Sequence, residues 1–159
     1  EGQYDLWLPS ENVLNRGTGF LYPDEEVTLT IPSTADKVIS VGAYDALTFS
    51  YASFSGRGYT WQDERTKPDL VAPGVNVRTT AVGGGVTVVS GTSFATPFVT
   101  GASALLMEWG IVRENDPFLY GEKVKAYLRR GARELPGFGK YPNREVGYGR
   151  LCLERSLPD

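Results

Sequence analysis

From Thr79 to Met107 the chain carries no charged side chain. A stretch that long without charge either crosses a membrane or lies deep inside a folded domain. Its composition decides between the two. Gly83-Gly84-Gly85, Pro97 and many Ser and Thr residues interrupt it, whereas a spanning helix needs about 20 predominantly apolar residues. No membrane span is expected. Val99, Ala102, Leu106 and Trp109 recur at helical spacing, and Ala95, Gly101, Ala102, Ser103 and Ala104 keep the other faces small. This pattern predicts a central helix over Ser93 to Trp109, buried nearly all round.

The flanking segments complete an α/β pattern. Lys37 to Ala43 is a short β-branched run without clear alternation, and Asp69 to Ala72 is a second run ending at Pro73-Gly74. Both suit strands of a parallel sheet covered on both faces. Val75 to Thr79 and Val86 to Val89 flank the glycine triplet as a hairpin or loop pair. Alternation predicts half-buried strands at Gln3–Leu8 and over Val27, Leu29 and Ile31, with a punctuated loop from Ser10 to Asp24 between them. Leu47, Phe49 and Tyr51 also alternate with polar residues. A second helix is expected over Pro117 to Arg130, with Asp116 as N-cap and Gly131 just past its end. A last strand is expected at Gly149 to Leu153.

Composition removes several functions. Among 159 residues there is no histidine, so the chain offers no imidazole ligand and no imidazole base. The net charge of −3 lacks the basic footprint of a nucleic-acid binder. The single cysteine, Cys152, excludes an internal disulfide and a Cys-only zinc site, and it reads as a buried apolar thiol between Leu151 and Leu153. The glycine triplet lacks the Lys-Ser/Thr ending of a phosphate loop. No run spells a calcium loop. No cofactor and no metal are expected. Arg129, Arg130 and Arg133 read as a solvated face with favourable charges at a helix C-terminus. The start Glu1-Gly2-Gln3 fits a processed product or a fragment, and no signal peptide is visible.

One segment points to chemistry: Ser90-Gly91-Thr92-Ser93-Phe94-Ala95-Thr96-Pro97. A Gly-Thr turn feeds a serine at the start of the central helix. Helix N-termini carry partial positive charge and free N–H groups. A hydroxyl there can develop negative charge during attack, and its own N–H can help hold an oxyanion. Gly91 lets the backbone approach a bound chain. Pro97 is expected in the first turn or just beyond it, where a lost N–H costs least. The competing explanation is that Thr92 and Ser93 merely cap the helix.

Gly91-Thr92-Ser93-x-Ala95-x-Pro97-x-Val99-x-Gly101 resembles the active-serine motif of subtilisin-like serine proteases, the subtilases. Lys67-Pro68-Asp69-Leu70-Val71-Ala72-Pro73-Gly74-Val75 resembles the segment that precedes that motif. Val38-Ile39-Ser40-Val41-Gly42-Ala43 and Phe54-Ser55-Gly56 resemble the strand and loop before it. The blocks keep the family's order over about residues 32 to 155. Ser55-Gly56-Arg57-Gly58, Met107 to Val112, Gly131-Ala132-Arg133 and Gly147-Tyr148-Gly149 further resemble a subgroup from spore-forming anaerobes that includes germination proteases. In that subgroup a β-rich module interrupts the protease domain, and the first residues of this chain look like its final strand.

The resemblance implies the C-terminal portion of a subtilisin-like three-layer fold, with a parallel sheet and a buried helix starting at Ser93. It divides the chain into 1–24, the end of an inserted β-rich module plus linker, and 25–159, the C-terminal half of a peptidase domain. It implies a serine endopeptidase in which Ser93 forms an acyl-enzyme with a peptide or protein substrate. The family's Asp, His and oxyanion Asn precede every matched block, so the expected partner is an N-terminal part of the same protein. Asn12, Asn15, Asp5, Asp24 and Asp45 match no catalytic context. Sedolisins pair a similar Ser-Gly-Thr-Ser with acids, but Glu108 would lie roughly 22 Å along the helix, out of reach. The chain alone is expected to be inactive. The alternative is a catalytically inactive subtilase-like scaffold or binding module. An extracellular, cell-envelope or spore-associated location is suggested by the resemblance only. A chain lacking the rest of its domain is also expected to expose part of the Val38–Ala43 and Leu70–Ala72 surfaces.

Overall fold

Two short parallel strands organise the chain. The computed structural model describes residues 4, 6–9, 13–59 and 66–158. Their elements run β1 (Val41–Asp45), β2 (Ser50–Tyr51), β3 (Gly58–Tyr59), β4 (Thr66–Lys67), β5 (Leu70–Pro73), β6 (Val77–Thr80), β7 (Val86–Val89), α1 (Thr92–Met107), α2 (Gly121–Gly131) and α3 (Leu153–Ser156). A π-helical turn, Glu108–Val112, continues α1. β1 pairs parallel with β5, Val41 opposite Leu70 and Ala43 opposite Ala72. β2 pairs antiparallel on the other side of β1. Arg150 adds a parallel bridge to Val71 beyond β5.

The sheet is covered on both faces, as the β-branched runs predict. Ala43, Leu70 and Ala72 pack against Ala95, Val99, Ala102 and Leu106 of α1 and against Val124 and Leu128 of α2. Tyr44 and Val71 point the other way, onto Leu135 and Val146. Helices, sheet and the C-terminal loops thus form three layers. Ala43, Leu70, Val71 and Ala72 are fully buried, against the expected exposure of Leu70–Ala72, whereas Val38, Ile39 and Val41 keep part of their surface exposed. Apolar side chains are also exposed on the far side of α1, where Leu105 is 55% and Phe98 44% exposed. Only one stripe of α1 is buried, because no described element packs on its other side. Thr92–Val112 is long and apolar enough to cross a membrane by length and composition, but its inner stripe is part of the core.

Several expected elements differ. The described residues of Gln3–Leu8 form no strand, while Gln3 and Asp5, like Ser10, Glu11 and Asn12, lie outside the described residues. Val27–Ile31 is also irregular. The Thr28 N–H donates to the Arg57 carbonyl (3.0 Å), but the Thr28 hydroxyl, not its carbonyl, accepts from the Arg57 N–H (3.0 Å). A side chain that substitutes for the backbone in this way stops a ladder from growing. Only Ser50–Tyr51 of the Leu47–Tyr51 alternation is a strand. The hairpin forms as β6 and β7, with the three glycines at positive φ in its turn. Gly149–Leu153 gives a bridge and then α3 rather than a strand. Helix α2 starts at Gly121, past Asp116, whose carboxylate accepts from Lys123 Nζ (2.6 Å) and from the Tyr127 hydroxyl (2.9 Å). Cys152 is half-buried.

A buried carboxylate ties these layers together. Asp69, fully buried, accepts from the Ser40 N–H (2.7 Å), Lys67 Nζ (3.0 Å) and Arg129 Nε (3.0 Å), and lies 3.3 Å from Lys125 Nζ. Arg129 is therefore not part of a solvated face. It reaches inward to Asp69 and stacks on the Tyr148 ring. Burial pushes the Asp69 pKa up, but the Ser40 N–H, Arg129 and Lys67 outweigh it and hold it below its ordinary value.

The end of β5 sets the start of α1. The Gly74 N–H donates to the Tyr44 carbonyl (3.0 Å), and the Gly74 carbonyl accepts from the Gly91 N–H (2.8 Å). A Cβ at Gly74 would lie 2.6 Å from that of Ala43 and 3.1 Å from the Gly91 oxygen, so only glycine permits the approach. Gly91 itself has φ 151°, a conformation side chains disfavour.

Two predictions follow from this packing. Gly74→Ala overpacks the junction and should lower stability by about 1–3 kcal/mol, read from urea midpoints. Asp69→Asn strands three cations and should cost about 3–5 kcal/mol. Because the Asp69 pKa is lowered on folding, its contribution is complete above the ordinary carboxylate pKa of about 3.9 and is lost as pH falls through the native value. The destabilisation by Asp69→Asn should therefore be full at neutral pH and shrink in strong acid. A deficit that does not vary with pH would contradict the ion-cluster account.

Candidate active site

Ser93 is the second residue of α1, and its side chain is exposed. Gly91 occupies the N-cap position, and no side chain caps the helix. The capping explanation for Thr92 and Ser93 therefore fails: both lie inside the helix. The N–H groups of Phe94 and Ala95 both donate to the Gly91 carbonyl, at 3.0 and 3.3 Å. The N–H groups of Thr92 and Ser93 find no acceptor among the described residues. They remain at the positive end of the helix dipole, available to an anion. The Thr96 hydroxyl donates back to the Thr92 carbonyl (3.0 Å) and so stiffens this first turn. Pro97 is the sixth helical residue, beyond the first turn, and it offers no N–H to the Ser93 carbonyl four residues back.

Ser93, Thr92 and Thr96 form one wall of an open cleft of about 300 Å³. The facing wall comes from Pro32, Ser33 and residues 38–41. Ser33 and Ser40 join their hydroxyls in a hydrogen bond. Among the described residues that line the cleft none has a titratable side chain, so none of them can take a proton from Ser93. Glu108 stands at the other end of α1 and pairs with Arg113 (2.8 Å). Asn15, Asp24 and Asp45 do not line the cleft. The Asp24 and Asp45 carboxylates instead accept N–H bonds from Glu26 and Leu47, two residues on, as turn carboxylates do. Among the described residues no group of three His, Cys, Asp or Glu side chains could hold a metal ion.

Sequence reasoning did not foresee the facing wall or the buried cations behind it. Lys125 and Arg129, four apart within an otherwise apolar helix face, were the available signal. Like charges at that spacing repel unless an anion lies between them.

Three kinds of comparison bear on this arrangement. The family model of the subtilases, Peptidase S8, matches residues 21–149. Over 134 residues the chain is 40% identical to the membrane-bound transcription factor site-1 protease of Mus musculus, covering 81% of this chain and 12% of that protein. It is 34% identical over 156 residues to the serine protease AprX of Bacillus subtilis, covering 86% of this chain and 33% of that protein. The chain thus spans a third or less of these relatives. Among solved structures, the Clostridium perfringens CspB protease matches with a TM-score of 0.85 and 50% identity, over 90% of this chain and 30% of that one. The self-cleaved protease domain of PatA matches at 0.62 and 31%, over 79% of this chain and 42% of that one. With the family match covering most of its length, the chain belongs to the subtilase family of serine proteases.

Proposed function

We propose that Ser93 is the nucleophile of a serine endopeptidase. The observation that carries this reading is the placement of Ser93 at the second position of α1, exposed in a cleft, where it does not cap the helix. Ser93 Oγ attacks the carbonyl carbon of a peptide bond as its proton passes to a histidine. The resulting oxyanion is held by the Ser93 N–H and an asparagine side chain; collapse breaks the C–N bond as the histidine passes its proton to the leaving amine, and water then hydrolyses the acyl-enzyme. The histidine, its aspartate and the asparagine come from a part of the protein N-terminal to this chain, which itself contains no histidine. Loss of the base from such a triad costs about 10⁶ in kcat, so this chain by itself is inert.

The same reading assigns residues 1–24 to the end of an inserted β-rich module and 25–159 to the C-terminal half of the peptidase domain. The likeness to the Clostridium perfringens protease supports placing the protein in the subgroup from spore-forming anaerobes. Its substrate is a peptide or protein.

A fluorophosphonate probe tests the assignment. The whole protein should label at Ser93, Ser93→Ala should abolish labelling, and the 159-residue chain alone should stay unlabelled. A whole protein that folds yet leaves Ser93 unlabelled would instead be an inactive scaffold.

A further inference from the structure

Behind the cleft wall that faces Ser93 sits a lysine with no catalytic neighbour. Lys125 is 7% exposed, although it belongs to the charged helix α2. Its Nζ donates to the carbonyl oxygens of Asp36 (2.8 Å) and Val38 (2.8 Å) and lies 3.3 Å from Asp69 Oδ1. An ammonium has three donors, and these are its three acceptors. Residues 38–41 continue from these carbonyls directly into the cleft wall and β1. No regular element lies between residues 32 and 40; backbone bonding to the sheet begins at Ser40, whose carbonyl accepts from the Asp69 N–H (2.8 Å), while lysine side chains hold the Asp36 and Val38 carbonyls before it.

We propose that Lys125 is a positioning residue for the Ser93 cleft: its ammonium clasps the Asp36 and Val38 carbonyls and holds the facing wall, and loss of its proton loosens that wall. That the cleft is an active site rests on the reading above; the clasp does not. A neutral amine has two N–H donors for three oxygen acceptors, so one contact lapses when the proton leaves. The groups facing Lys125 are Lys67 at the end of β4, Asp69 just before β5 and Arg129 from the next turn of α2. Lys67 Nζ donates to Asp69 (3.0 Å) and also to the Val38 oxygen (3.2 Å), so Lys125 shares the Val38 carbonyl with it. Burial pulls the Lys125 pKa down to about 8; Asp69 opposes this, and Lys67 and Arg129 add to it.

The sign of the linkage gives the clasp a distinctive signature. Between a native pKa near 8 and the ordinary value of 10.5, the unfolded chain binds more protons than the folded one. Global stability from this group therefore rises with pH in that window. Local order at residues 38–41 falls in the same window. A residue that contributed only to general stability would move both together.

Carbon-detected NMR on the full chain tests this. The Asp36 and Val38 carbonyl carbons should titrate together with the Lys125 side chain, at a midpoint near pH 8. Hydrogen-exchange protection of amides 38–41, corrected for intrinsic rate, should fall about tenfold from pH 7 to 10. In Lys125→Arg, which stays charged, that protection should hold. Lys125 titrating while both carbonyls stay fixed would overturn the clasp, as would equal loss of protection in Lys125→Arg. A Lys125 midpoint above 10 would overturn alkaline release. Should Lys125→Arg fail to fold, the carbonyl titration of the unmodified chain decides alone. Probe labelling of Ser93 in the whole protein is read separately, so failure of one idea leaves the other standing.

Discussion

The Asp69 carboxylate is fully buried, and a charge there is tolerable only because N–H groups surround it. An uncompensated ion in that place would cost several kcal/mol. The donors come from separate parts of the chain: the Ser40 backbone before β1, Lys67 at the end of β4, and Lys125 and Arg129 on α2. Each donor fixes the position of its own segment relative to β5. The arrangement is mutual. Lys125 and Arg129 stand one turn apart on the same face of α2, and neither could be buried there without the carboxylate between them. One side chain thus sets how the sheet, the approach to β1 and α2 meet.

From Asp69 the order passes along β5 to the serine. Four residues of strand carry the chain from the ion cluster to Gly74, whose two hydrogen bonds join the end of β1 to the start of α1. Gly91 then turns the backbone in a conformation that side chains resist, and α1 begins. Ser93 is placed by contacts among rigid elements, not by a mobile loop. The facing wall is built differently. Backbone bonding begins only at its end, where the Ser40 carbonyl accepts from the Asp69 N–H, and side chains hold the Asp36 and Val38 carbonyls before that.

What the sequence disclosed, and what it did not, divides along the same line. The parallel pair, the hairpin and α1 were legible because each is specified locally, by β-branched runs, a glycine triplet and apolar spacing. Ser93 stood out because Gly91, Ala95 and Pro97 surround it in a known order. Arg129 was misjudged because an arginine near a helix C-terminus has a sufficient local explanation, and its actual partner lies 60 positions away. Asp116 does not cap α2, which starts five residues later at Gly121; its carboxylate accepts from the Phe118 N–H and reaches Lys123 and Tyr127 inside the helix. The irregular Val27–Ile31 shows that alternation prepares a strand but does not supply its neighbour. The open side of α1 could not be inferred from composition, since small and apolar residues surround the helix whether or not something covers it.

The placement of Ser93 also bounds what α1 can contribute to catalysis. A helix N-terminus stabilises an adjacent negative charge by about 0.3–1 kcal/mol when exposed and up to about 2 kcal/mol in favourable geometry. At 1.36 kcal/mol per pKa unit, the upper figure lowers a hydroxyl pKa by roughly 1.5 units. A serine hydroxyl has a pKa far above neutral pH, so α1 cannot ionise Ser93 in the resting state. In the proposed mechanism its contribution falls instead on the oxyanion formed after attack, which the N–H groups at the helix start, without an acceptor among the described residues, can meet. Removing the proton is a separate task that needs a base within hydrogen-bond reach, and the cleft lining has no titratable group. Under the proposed reading, nucleophile and oxyanion donor come from one helix turn, and the base is a group beyond the residues that line the cleft.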